Sequence, residues 1–450
     1  MRRSTLVLLA VVALLLAFVL LWERKVPSTA EREAHREDLL PGVKVGDLVR
    51  LERRGFDPVL LVRKAPPAGA GGEEARTSWR MELPLKDAAD RYGVEGFADR
   101  LATARILRAV SGEAPAAGLG LDPPRAVWTL GMEKGESRTV EVGGEAPLEE
   151  GIYLRAGGRT VLVAKDLESL LLRPASDFRL KDLLTFGTAE ISAVTVERRD
   201  GGRLAFVRRG EGWDVTEPFE DWASTEKVLA LLDDLSLCPV ASFLPEGQGD
   251  TGLASPVLRV VVRPRTGSPV TLALGGPAPG GDPAERRVYA ASSERPGLLV
   301  VSSRSLASLE GEAEGFRSLE VFRRSVYDAD EIEVQGPRNL RLRRDPRKGW
   351  TAEGLAGRED DAVVLVGHLS SLRGTAVLGA PPPPAHPWAF AVKGPGFEER
   401  ATVWPAADGR ILARPVGRPV ALVLDQEAWK AAEALLRGGR ASSPPKGGKP

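Results

Sequence analysis

Asparagine occurs once in this chain, at Asn339, and cysteine once, at Cys238; histidine and methionine each occur three times. A single cysteine excludes an intramolecular disulfide and a multi-cysteine zinc site, and it leaves the redox compartment open. Its neighbours in "LLDDLSLCPV" are largely apolar, so the thiol is expected to be buried and inert. The histidines, His35, His368 and His386, fall on separate segments, and no two have metal-ligand spacing. Net charge is lacking as well: 62 basic residues cancel 62 acidic ones. No field of one sign is available to hold nucleic acid.

The motifs of common chemistries are missing too. No glycine-rich loop ends in Gly-Lys-Ser/Thr, and no G-x-S-x-G elbow occurs. "GLGLDPP" is not a dinucleotide fingerprint, because Pro123 and Pro124 stand where a helix would begin. "DADE", Asp328 to Glu331, lacks the glycine and spaced carboxylates of a calcium loop. Acidic clusters such as Glu359-Asp360-Asp361 sit at a helix start, where the macrodipole accounts for them. The expectation is therefore no catalytic residue, no cofactor, no metal, no nucleotide and no nucleic-acid partner.

What is present is a globular composition, 43% apolar and 28% charged, in a chain long enough for about three domains. At the N-terminus, Thr5 to Trp22 carries no charge over 18 residues. As a helix it would span about 27 Å, close to the hydrocarbon thickness of a bilayer. The run ends in "FVLLWERK", with no small-residue cleavage site and no lipid-anchor cysteine, so an uncleaved signal anchor is expected. Basic residues flank it on both sides, Arg2 and Arg3 before and Arg24, Lys25, Arg32 and Arg36 after, and leave its direction open.

The rest of the chain repeats itself. "SWRMELPLKDAAD", "GWDVTEPFEDWAS" and "GWTAEGLAGREDD" place Trp79, Trp213 and Trp350 second, and Asp90, Ser224 and Asp361 eleven positions later. Asp and Ser are good helix N-caps, because their side-chain oxygens accept from the orphan amides of a first turn. Fifteen, nineteen and twenty-two positions after each Trp come Val94, Ala98 and Leu101, then Val228, Leu232 and Leu235, then Leu365, Leu369 and Leu372. That spacing is one face of a helix. Alternating apolar and Arg positions before and after each helix read as half-solvated antiparallel strands. Each Trp then ends its run where it can cover a sheet–helix junction.

The fold class expected is α+β: an N-terminal transmembrane helix followed by three tandem related modules, each an antiparallel sheet with one long and one short helix. The boundaries are residues 1–22 for the cytoplasmic stub and anchor, 23–42 for a charged spacer, 43–186 and 187–326 for modules one and two, 327–437 for a degenerate module three, and 438–450 for a disordered tail. A repeat this long denotes domains in tandem, not a solenoid.

Trp79, Pro84, Asp90, Gly120 to Pro124, Gly143, Gly144, Tyr153, Arg179 and Lys181 together form a combination that resembles the bacterial domain-of-unknown-function family 4340. The likeness covers copy one well, copy two moderately and copy three weakly. It implies a single-pass inner-membrane protein, N-terminus cytoplasmic and modules periplasmic, encoded beside gliding-motility-type ABC transporters. It carries no established activity. The function expected is a non-enzymatic scaffold or auxiliary subunit, with the inner membrane (through residues 5–22) and an ABC-transporter permease or related envelope protein as partners. Two alternatives stay open: a glycan- or lipid-glycan-binding protein using Trp128, Trp388 and Trp404 as exposed stacking platforms, and a hydrolase with its site between modules.

Overall fold

The computed structural model describes residues 38–64, 78–110, 115–147, 151–245, 247–347, 349–353, 359–379 and 381–438. The chain divides into two compact units, Met1–Thr185 with Arg295–Gly297, and Phe186–Glu294 with Leu298–Pro450.

The first unit holds β1 (Leu48–Gly55), β2 (Val59–Lys64), β3 (Ser78–Leu83), β4 (Asp87–Ala88), β5 (Ile106–Ala109), β6 (Ala126–Met132), β7 (Ser137–Glu145), β8 (Gly151–Ala156) and β9 (Arg159–Ala164). They form one sheet in the order β4-β3-β2-β1-β6-β7-β8-β9-β5. Every pairing is antiparallel. Two-residue periodicity sends Leu51, Leu61, Trp128, Leu130, Val140 and Val142 to the buried face. Helix α1 (Arg91–Ala102) lays Val94, Phe97, Ala98 and Leu101 on that face, and the short α2 (Asp166–Leu171) adds Leu167, Leu170 and Leu171. The rings of Phe97, Trp128 and Phe178 meet at 4.5, 5.3 and 6.1 Å between centroids.

The second unit contains two sheets. One is built from β10 (Ile191–Arg198), β11 (Arg203–Arg209), β12 (Gly212–Glu217), β13 (Asp221–Ala223), β14 (Val240–Leu244), β15 (Leu258–Pro264), β16 (Val270–Pro277), β17 (Arg287–Ser292) and β18 (Leu298–Ser302), with α3 (Thr225–Ser236). Its order, β13-β12-β11-β10-β15-β16-β17-β18-β14, repeats that of the first sheet position by position. The other is built from β19 (Glu331–Gln335), β20 (Leu340–Asp345), β21 (Gly349–Glu353), β22 (Gly374–Gly379), β23 (Trp388–Gly394), β24 (Phe397–Pro405), β25 (Ile411–Pro415) and β26 (Val420–Leu424), with α4 (Glu359–Ser370) and α5 (Gln426–Leu436). Its order is the same with the first edge strand missing among the described residues.

Side chains repeat as faithfully as strands. Arg63, Arg208 and Arg344 are the cross-strand partners of Trp79, Trp213 and Trp350. Each guanidinium donates to the middle carbonyl of the 3-10 turn that leads into its sheet: Gly46 at 2.6 Å, Ala189 at 3.3 Å and Tyr327 at 3.2 Å. In the first two copies it also lies over the indole, at 5.4 and 5.7 Å.

Several expectations are corrected. The α+β description gives way to three large antiparallel sheets that dominate the described chain, with helices as minor covering elements. Sheet content wins because each copy lays down eight or nine hydrogen-bonded strands and only one or two helices longer than ten residues. In copy two even the short second helix is a 3-10 segment, Ser303–Glu310. No helix of the described residues is long and apolar enough to cross a membrane, so the expected transmembrane helix and single-pass inner-membrane localisation are not found among them. The Thr5–Trp22 run, the spacer up to residue 37 and the tail from residue 439 lie outside the described residues.

The three expected caps also diverge. Ser224 caps α3, its Oγ accepting from the Lys227 N–H at 3.4 Å. Asp90 occupies the cap position of α1 without a side-chain cap bond. Asp361 is no cap at all: α4 begins at Glu359 and takes Asp361 into its first turn. The sequence places three consecutive acidic residues there, a composition that favours a helix start.

Candidate functional site

Eight residues after the copy-two tryptophan, Asp221 opens the edge strand β13, paired with Val215 of β12. Its carboxylate is fully buried. Burial of a lone carboxylate is prohibitive, so the local structure supplies donors to every lone pair. Arg418, between β25 and β26, forks onto it with Nε at 2.7 Å from Oδ1 and Nη2 at 3.0 Å from Oδ2. Arg317 Nη1 adds a bond to Oδ2 at 2.5 Å, and the Trp222 N–H one to Oδ1 at 2.8 Å. The remaining Arg418 donors reach the Ser318 and Glu320 carbonyls at 2.9 and 3.3 Å.

This cluster borders a cleft of about 660 Å³ lined also by Arg209, Asp214, Phe219, Glu220 and Pro419. Trp222 forms part of its wall, half-buried, with the guanidinium carbons of Arg418 and Arg323 at 5.2 and 5.5 Å from its ring. Its ring also borders a second cleft of about 400 Å³ with Glu398, Glu399, Arg400 and Val416. Glu399 accepts from the N–H groups of Arg323 and Arg324 at 2.6 and 3.0 Å. Burial raises its pKa above the usual carboxylate value, outweighing those two N–H groups and the nearby arginine charges.

The first unit contains the same cluster. Asp87, eight residues after Trp79, accepts from Arg295 at 2.7 and 3.0 Å, from Arg179 at 2.6 Å and from the Ala88 N–H at 2.8 Å. Arg295 belongs to that unit through the Arg295–Gly297 tip, and its spare donors meet the Leu180 and Asp182 carbonyls at 2.6 and 2.5 Å. Arg179 Nη2 reaches the Pro296 carbonyl at 2.7 Å. Burial pushes the Arg179 pKa down, and Asp87 opposes that. Counted from the Phe-Arg turn, the acceptors Leu180 and Asp182 match Ser318 and Glu320.

A carboxylate held by two guanidinium groups and a backbone amide can organise a surface. It cannot act as a general base or nucleophile, because its lone pairs are engaged and two cations stabilise its charge. The arrangement is one for holding and orienting segments, beside a cleft lined by charges of both signs.

The residues singled out from sequence sit elsewhere. Trp79, Trp213 and Trp350 are buried on β3, β12 and β21, against α1, α3 and α4. Trp128, Trp388 and Trp404 are also buried and offer no ring face to a glycan; apolar alternation on β6 and β23 turns the first two inward, while Trp404 is buried on the face of β24 opposite Val403. Trp128 donates its indole N–H to the Leu171 carbonyl at 2.9 Å. Cys238 is buried, and burial, with Asp234 nearby, pushes its thiol up to about 12. His368 is buried on α4, and His386 is exposed. Asp87, Asp221, Arg295 and Arg418 were missed. The legible signals were an Asp eight places after two of the three tryptophans and an Arg-Pro pair before the last strand of copies two and three.

Residues 79–256 match the model of the family described as Domain of unknown function (DUF4340), and this segment of the chain belongs to that family. The match begins at Trp79 and ends just before β15, so it takes in both buried aspartates. No curated protein matches the chain.

Proposed function

We propose that this chain is a non-enzymatic scaffold: a set of repeated sheets that presents surfaces to a protein partner. The observation that carries this reading is the saturated carboxylate at Asp221. The most buried acid of the largest cleft described above is fully occupied by structural donors, and Arg209, Asp214, Glu220 and Trp222 line that cleft as a mixed-charge, aromatic surface suited to a polar partner segment. The family resemblance suggests the partner class, a subunit of an ABC-type export system, with this chain as its auxiliary component.

Photo-crosslinking in the native host tests both statements. A crosslinker at position 209 or 416, beside the two clefts, should trap a transporter subunit, and charge reversal at Arg323 should weaken that adduct. Adducts confined to unrelated proteins would remove the transporter reading. Turnover of ester or glycoside substrates by the purified full chain, lost on Asp221→Asn, would overturn the non-enzymatic one.

A further inference from the structure

The two buried aspartates pose a question of order: why two, when there are three copies? Eight places after the copy tryptophan the sequence has Asp87, then Asp221, then Arg358, the last outside the described residues. The tip before the last sheet strand of each copy reads Gly158-Arg159-Thr160, then Arg295-Pro296-Gly297, then Arg418-Pro419-Val420. Arg159 is exposed and follows two glycines, whereas Arg295 and Arg418 are buried on their aspartates. So the carboxylate occurs in copies that have a successor in the chain. The Arg-Pro tip occurs in copies that have a predecessor. The first copy lacks a tip, and the last lacks a carboxylate.

We propose that Asp221, Arg317 and the Arg418–Pro419 tip are a latch that makes copies two and three of the second unit open as one. Asp87, Arg179 and Arg295 are the same latch inside the first unit. Three features support a latch over ordinary packing. The Arg418 fork is bidentate and fully buried, which requires the planar guanidinium and rejects a lysine. Proline after the arginine fixes the local backbone of the tip before it docks. The same atoms meet at matching distances in both units: Nε to Oδ1 at 2.7 Å and Nη2 to Oδ2 at 3.0 Å.

Hydrogen exchange on the full chain tests the proposal. Wild-type amides of β10–β18 and of β19–β26 should share one slowest opening. Asp221→Asn lies in copy two, and Arg418→Lys in copy three. The latch requires both to give the same result: the two sheets open separately, with protection in the third sheet falling at least tenfold relative to the second. Arg159→Ala should change nothing. If each substitution loosens only the copy that carries it, or if both sheets still open together, the latch is wrong. Arg418→Lys keeps the charge and most of the volume, so the test survives should Asp221→Asn not fold.

Discussion

The second and third copies follow one strand order, yet their long helices begin at different distances from the copy tryptophan: α3 at Thr225, twelve residues after Trp213, and α4 at Glu359, nine after Trp350. Copy two turns through a short edge strand, buries Asp221 and caps α3 with Ser224. Copy three has no edge strand among the described residues, and the sequence of α4 opens on Glu359-Asp360-Asp361. The open faces of their sheets differ as well. β10 offers Ala193 and Thr195 where β19 offers Glu331 and Glu333, paired with Arg341, Arg343 and Lys393. The buried charge cluster joins the acid of copy two to Arg418 of copy three, while β19 of copy three adds an exposed ladder of charges. Buried pairs are costly to break, while exposed ones contribute little. Side by side, they show that one backbone plan tolerates either solution.

The largest effect expected from this contrast is at Asp221. Asp221→Ala leaves two arginines facing a vacated buried site, and urea denaturation should register a loss of about 3–5 kcal/mol. A loss under about 1 kcal/mol would place Arg418 in solvent. Trp213→Ala should cost roughly 3 kcal/mol or more, the usual loss for a buried aromatic. Trp350→Ala should cost less, because Trp350 keeps 8% of its surface exposed against 1% for Trp213. A reversed order would mean that copy three depends on its tryptophan more than copy two does. Ser224→Ala should remove about 1 kcal/mol, the worth of an N-cap. Asp361→Asn should remove only about 0.3–0.5 kcal/mol, and that should vanish in ~1 M salt, because a charge in the first helical turn acts through a screened dipole.

The smallest effect concerns Glu333. Bonds from Lys393, then Arg341, hold its carboxyl down to about 2, well below the ordinary 4.5. A depressed acid contributes its stabilisation above the unfolded pKa and loses it as pH falls through the folded one. NMR titration should therefore find Glu333 ionised through the pH 4.5 region and protonated only near 2. The accompanying stability change should be small, because the pair is solvent-screened.

Much of this plan is written in local sequence. The helix face of Val228, Leu232 and Leu235 is legible because it depends on a 3.6-residue period within one segment. So is the inward Trp213, which follows from strand alternation. Trp128, Trp388 and Trp404 failed as exposed platforms because alternation does not say which face is covered; that is decided by helices distant in sequence. Asp361 failed as a cap because Asp is favoured both at the cap and in the first turn. The Asp221 cluster was hard to read because its partners are 96 and 197 residues away, and the Arg-Pro pair that marks Arg418 does not say which acid it meets.

Those separations have a counterpart in time. A ribosome adds about 5–20 residues per second. Asp221 is therefore made roughly 10–40 s before Arg418, 197 residues later, and Asp87 waits a similar time for Arg295, 208 residues later. During that interval copy two has its tryptophan, its helix and one arginine, but its buried acid is short of its principal counter-ion. Each copy but the last is thus finished by a later stretch of chain, and a nascent chain halted before Arg418 carries a second copy whose acid must stay hydrated at the edge of its sheet.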